Sequence, residues 1–144
     1  MKVEREVDLP AEPDKVYEML MDPARLGEWV TIHERFEDAP AELEQGTSMT
    51  QKLKVAGQRF TVRWKVTQAD RPSKVTWEGN GPAGTSARVV YDLDERDGGT
   101  HFRYLNEYEL PGGAAGRIAG RAVSAAAGRE VERSLERLRK LLEG

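Results

Sequence analysis

The sequence predicts an α+β domain in which a curved, seven-stranded antiparallel sheet wraps around one long C-terminal helix, with two short helices between strands 1 and 2. Three observations carry this expectation. Residues 32–110 keep a period-two alternation of apolar and polar side chains, interrupted only by turn signals. After Pro111-Gly112-Gly113 the period changes to 3.6 and continues to Leu142, about eight helical turns. One strand and two short helical stretches come before both.

Taken in order, residues 2–9 set Val3, Val7 and Leu9 between Lys2, Glu4, Glu6 and Asp8, a half-buried strand whose pattern fails only at Arg5. Pro13 suits a first helical position, and Val16, Met19 and Leu20 follow at helical spacing. Asp22-Pro23 then supplies a fresh cap and start, so two helices are expected at about 13–21 and 23–28. Turn signals at Glu44-Gln45-Gly46, Ala56-Gly57, Asp70-Arg71-Pro72, Gly79 to Gly84 and Asp97-Gly98-Gly99 divide the remainder into six strands. In residues 58–67, Phe60, Val62, Trp64 and Val66 point one way and Thr61, Arg63, Lys65 and Thr67 the other. In residues 100–110 the apolar face carries polar tips, with Phe102, Tyr104, Asn106, Tyr108 and Leu110 opposite His101, Arg103, Leu105, Glu107 and Glu109.

The terminal helix changes character halfway. Before Val131 its apolar stripe is mostly alanine, with Gly116, Gly120 and Gly128 close by; after it the stripe is mostly leucine, beside charged pairs such as Glu136 and Lys140. No repeat, linker or low-complexity tract divides residues 1–144, so a single domain is expected.

Composition removes several function classes. The 22 basic and 25 acidic residues are interleaved, for a formal charge of −3, so no basic face for nucleic acid is expected. No apolar run approaches the ~20 residues that cross a bilayer, and the opening MKVEREVDLP lacks a signal peptide's apolar stretch, which predicts a cytoplasmic protein without stable membrane insertion. Zero cysteines leave no disulfide or thiolate chemistry.

The segment from Pro10 to Trp29 (PAEPDKVYEMLMDPARLGEW), Gly98-Gly99-Thr100 leading into the last strand, Tyr108-Glu-Leu-Pro111 ending it and Leu135-Glu-Arg-Leu138 together resemble the START-like (SRPBCC) superfamily. That superfamily includes polyketide cyclase/dehydrases, lipid-transfer domains and the birch-pollen allergen. The resemblance runs along essentially the whole chain and implies the helix-grip fold, with a cavity between sheet and helix for lipids, polyketides or other hydrophobic molecules. Glu12 is a local departure, standing where such proteins often carry a Ser or Thr cap. The resemblance transfers no catalytic residues to positions in this chain.

Small side chains before Val131 either let the helix backbone approach the sheet or leave room for a ligand. The expected cavity places Ile118, Ala119, Ala122 and Val123 of the helix opposite Phe60, Trp64 and Trp77. Gln51, Tyr91, Tyr104, Asn106 and Tyr108 supply hydrogen-bonding groups on the same face, and Trp29 stands at the mouth or in the core. His33 and His101 are too few and too scattered for a metal site, and neither has an evident catalytic partner. Asp92, Asp94 and Asp97 miss the calcium-loop spacing, there is no GxSxG, and Arg117 and Arg121 rule out a membrane setting for the GxxxG repeats. No catalytic set, cofactor or metal is expected. The leading expectation is binding or transport of a hydrophobic small molecule by a monomer or weak homodimer. The alternatives are a polyketide cyclase/dehydratase, with Tyr104, Asn106 or Tyr108 polarising a carbonyl, and a protein-interaction module.

Overall fold

The computed structural model describes residues 2–81, 84–109 and 114–143, the side chains of 114–124 excepted. β1 (Lys2–Leu9) leads to α1 (Pro13–Leu20), a 3-10 turn at Pro23–Arg25 and α2 (Leu26–Trp29). Next come β2 (His33–Glu37), β3 (Ser48–Val55), β4 (Gln58–Asp70), β5 (Lys74–Asn80), β6 (Ser86–Arg96) and β7 (Gly99–Glu109), and finally α3 (Ala114–Glu143). The strands form one seven-stranded sheet in the order β1-β7-β6-β5-β4-β3-β2, antiparallel at every junction. This is the helix-grip arrangement expected.

Local chemistry explains the helix starts. Pro13 occupies the first turn of α1, where its missing N–H is no loss, while Glu12 makes no side-chain cap. Asp22 does cap, its Oδ1 accepting from the Ala24 N–H at 3.0 Å. Helix α3 touches β1 near one edge of the sheet, β3 near the other, and α2. The alternation of β4 buries Val62, Trp64 and Val66 beneath it, and Ala126, Ala127, Val131, Leu135, Leu138 and Leu142 complete the interior from the helix side. An extra residue between Val66 and Gln68 breaks the β4–β5 register, a bulge of the kind that bends a sheet.

Two glycines have specific tasks. Gly79 lies within β5, not in the turn expected from Gly79 to Gly84, because the strand continues to Asn80. A Cβ there would stand 2.7 Å from Trp64 Cε3 and 2.8 Å from Val62 Cγ1, so its bare backbone makes room for the indole. Gly128 lies under Arg5, and a Cβ would meet Arg5 Nη2 at 2.8 Å. The one flaw in the β1 pattern is thereby explained: Arg5 opposes Tyr104 in the sheet, crosses α3 at Gly128 and donates through Nε to Glu132 Oε1 at 3.0 Å.

A second latch holds α3 to the chain after α2. The Thr31 N–H donates to Ser134 Oγ at 3.0 Å, Ser134 Oγ donates to the Glu130 carbonyl at 2.8 Å, and Thr31 Oγ1 donates to Glu130 Oε2 at 2.6 Å. Together with the Arg5 bridge it fixes the level at which the helix crosses the sheet.

Candidate ligand-binding cleft

The centre of the concave face is filled by aromatic rings. Phe102, Tyr91, Trp77 and Trp64 stand in sequence with centroids 5.5, 5.7 and 5.9 Å apart, tilted or edge-to-face, and Trp29 leans on Tyr91 at 6.3 Å. Beyond Trp64 the ring stack stops. There the inner faces of β3 and β4 offer Leu53, Val55, Phe60 and Val62, β6 offers Ala87, β7 offers Asn106 and Tyr108, and α3 offers Ala127. These residues, with Ile32, enclose a mainly apolar cleft of about 100 Å³. Ser86 and Glu109, both exposed, are also among its lining residues.

A smaller hollow of about 20 Å³ adjoins the cleft, sharing Ile32, Asn106 and Ala127 with it. Trp29, Tyr104, Glu130 and Ser134 are among its other walls. Trp29 is 1% exposed and its indole N–H has no hydrogen-bond acceptor among the described residues. Asn106 Nδ2 reaches Tyr104 Oη at 3.5 Å. Burial lifts the Tyr104 phenol to about 12 and the Tyr91 phenol well above its usual value, so both keep their protons in neutral solution.

Beside the cleft, three side chains form a relay with forced polarity. The Trp64 indole can only donate, and it donates to Gln51 Oε1 at 2.9 Å. Gln51 therefore presents its amide NH₂ to His33 Nδ1, also at 2.9 Å, and that nitrogen must accept. Burial independently holds the His33 pKa below its ordinary value. His33 is thus neutral with its ring proton on Nε2, and the oxygen and the nitrogen of the Gln51 amide each have a partner.

The expected site residues separate into groups. Phe60, Trp64, Asn106 and Tyr108 line the cleft; Trp29 and Tyr104 line the hollow. Gln51 is buried in the relay, while Trp77 and Tyr91 belong to the ring stack and line neither space. The side chains of Ile118, Ala119, Ala122 and Val123 lie outside the described residues. Leu53, Val55 and Ala87 line the cleft without belonging to the expected set, although the alternation Met49, Gln51, Leu53, Val55 in β3 and the smallness of Ala87 between inward-facing neighbours are readable signals.

The model of the family described as polyketide cyclase / dehydrase and lipid transport matches residues 1–143. An uncharacterised Mycobacterium tuberculosis protein, Rv1546, is 31% identical over 140 residues, covering 96% of each chain. Toxin Rv0910 of the same organism is 25% identical over 136 residues, covering 94% of this chain and 93% of its own. Among solved structures, TTHA0849 from Thermus thermophilus superposes with a TM-score of 0.78 at 20% identity, over 99% of this chain and 97% of that one. At that identity the likeness speaks for the fold. Among the described residues no helix is long and apolar enough to cross a membrane.

Proposed function

Because this chain belongs to the polyketide cyclase/dehydrase and lipid transport family, we propose that it binds and carries a small hydrophobic molecule in the cleft between the sheet and α3. The observation that carries this reading is the apolar space left where the ring stack ends at Trp64, walled by Leu53, Val55, Phe60, Val62 and Ala87. An apolar cavity is a favourable destination for a ligand that water excludes.

Size narrows the ligand. Pockets for drug-sized molecules run to roughly 300–1,000 Å³, whereas an apolar cavity of roughly 150 Å³ holds benzene. A cleft of about 100 Å³ suits a single ring or the end of an acyl chain. The carrier reading includes a cytoplasmic location and action as a monomer or weak homodimer.

Transport is favoured over cyclisation because the cleft's described lining brings no acid–base pair together, its one carboxylate, Glu109, being exposed. A cyclase would have to act mainly by folding its substrate. A second reading is the protein-interaction module, which the name of the toxin relative keeps in view; growth arrest on induced expression would favour it.

The test is extraction and mass spectrometry of whatever copurifies, followed by NMR titration with fatty acids, flavonoids and single-ring aromatics. The reading expects a bound small molecule and a shift of the Trp64 indole signal. No copurifying molecule and an unmoved Trp64 signal across all three classes would end it.

A further inference from the structure

The hollow beside the cleft combines polar walls with a buried indole. Its volume of about 20 Å³ exceeds the roughly 10–15 Å³ that one water-sized occupant needs. It is walled by several polar side chains, and it shares Ile32, Asn106 and Ala127 with the apolar cleft, so the two spaces are neighbours. Trp29 in its wall carries a buried N–H for which no described residue supplies an acceptor, an arrangement that proteins generally avoid.

Resting on the carrier reading above, we propose that Trp29, Tyr104 and Asn106 form a hydrogen-bonding subsite at the inner end of the cleft, which takes the neutral oxygen acceptor of a small single-ring ligand such as an aryl ketone. The donors are of the right kind. An indole can only donate. The Tyr104 hydroxyl already accepts from Asn106, which leaves its own proton for another acceptor. The placement of the two spaces side by side orients the ligand: its apolar ring occupies the cleft against Phe60 and Trp64, and its carbonyl faces the hollow.

Charge selects against an anion there. Glu130 is among the hollow's lining residues, its carboxylate held by Arg133 at 2.8 Å and by Thr31 Oγ1, and no lysine, arginine or histidine is among the hollow's described walls. A ligand carboxylate would be desolvated next to a like charge, whereas a ketone satisfies both donors at no such cost.

Three ligands of nearly equal size separate the terms: acetophenone, ethylbenzene and benzoate. Each is titrated into the ¹⁵N-labelled protein, with the Trp29 indole signal assigned through Trp29→Phe. Acetophenone is expected to bind about tenfold more tightly than ethylbenzene, to move the Trp29 indole proton downfield, and to outcompete benzoate. In Trp29→Phe the preference for acetophenone should fall severalfold while ethylbenzene affinity is kept. Tyr104→Phe should lower the same preference, and the indole shift in the unaltered protein carries the test should Trp29→Phe not fold. Equal affinity for acetophenone and ethylbenzene, tightest binding by benzoate, or an unmoved Trp29 indole in the acetophenone complex overturns the subsite and leaves the carrier reading standing. Failure of all three ligands to bind overturns the subsite and counts against the cleft itself.

Discussion

His33 shows how far one donor-only group can dictate its neighbours. Protonating Nδ1 would require Gln51 to turn its oxygen toward His33, and its NH₂ would then face the Trp64 N–H, donor against donor. With the folded-state pKa held below the ordinary 6.5 by burial, the unfolded chain takes up the proton first as pH falls. The His33 contribution to stability is therefore complete above about 6.5 and declines as pH drops below it. His101 has the opposite sign. Hydrogen bonds to Asp8 and then Glu6, at 2.8 and 3.1 Å, raise its pKa above 6.5. Its contribution is complete below 6.5 and disappears as pH rises through the raised value. Urea denaturation from pH 5 to 8 should show His33→Asn, which keeps an acceptor near Nδ1, losing the acid-side decline, and His101→Gln losing the alkaline-side one. Gln51→Leu would bury the Trp64 N–H without a partner and should lower unfolding free energy by about 1–3 kcal/mol. Residue types alone could not reveal this relay, because His33 and Gln51 meet only through the irregular β2–β3 register, which shifts between His33 and Arg35.

The glycines of β5 and α3 make a contrast at the level of elements. A methyl at Gly79 would collide with the indole and the backbone carbonyl of Arg63, neither of which can retreat inside a packed sheet. Gly79→Ala should cost about 1–3 kcal/mol and disturb the cleft wall at Trp64. A methyl at Gly128 would meet only the end of the Arg5 side chain, which can swing away. Gly128→Ala gains about 0.8–1 kcal/mol of helix propensity and loses a surface ion pair worth about 0–1 kcal/mol, so it should leave stability unchanged or slightly higher by thermal denaturation. The same pair marks how far the chain alone can be read. Period-two alternation locates the strands from β3 onward, and Pro13 and Asp22-Pro23 locate the helix starts. The small-residue half of α3 reads as room for a ligand, yet Gly128 is small so that Arg5 can cross, a reason that lies 123 positions away in β1. Gly79 reads as a turn because a strand glycine and a turn glycine look alike without the partner strand.

For the whole molecule, cavity and stability are set by the same packing. The rings from Phe102 to Trp64 hold the centre of the sheet, the Arg5 and Thr31 latches set the height of α3, and the cleft is what remains at the end where the rings run out. The order of elements makes the sheet and the gripped helix legible, but the volume between them depends on ring orientation, which no spacing encodes. Ala127, shared by cleft and hollow, is the position at which filling that volume tests the design. Ala127→Leu adds three carbons whose burial is worth about 0.8 kcal/mol each, against an overpacking cost of about 1–3 kcal/mol. Stability should therefore change by less than about 2 kcal/mol, while binding of any single-ring ligand should fall at least about tenfold. Ala125→Leu, on the exposed side of the same helix, should leave binding as it was. If Ala127→Leu folds and binds as the parent does, the ligand sits elsewhere on the molecule. If both variants lose binding alike, the helix surface and not the cleft is what the ligand recognises.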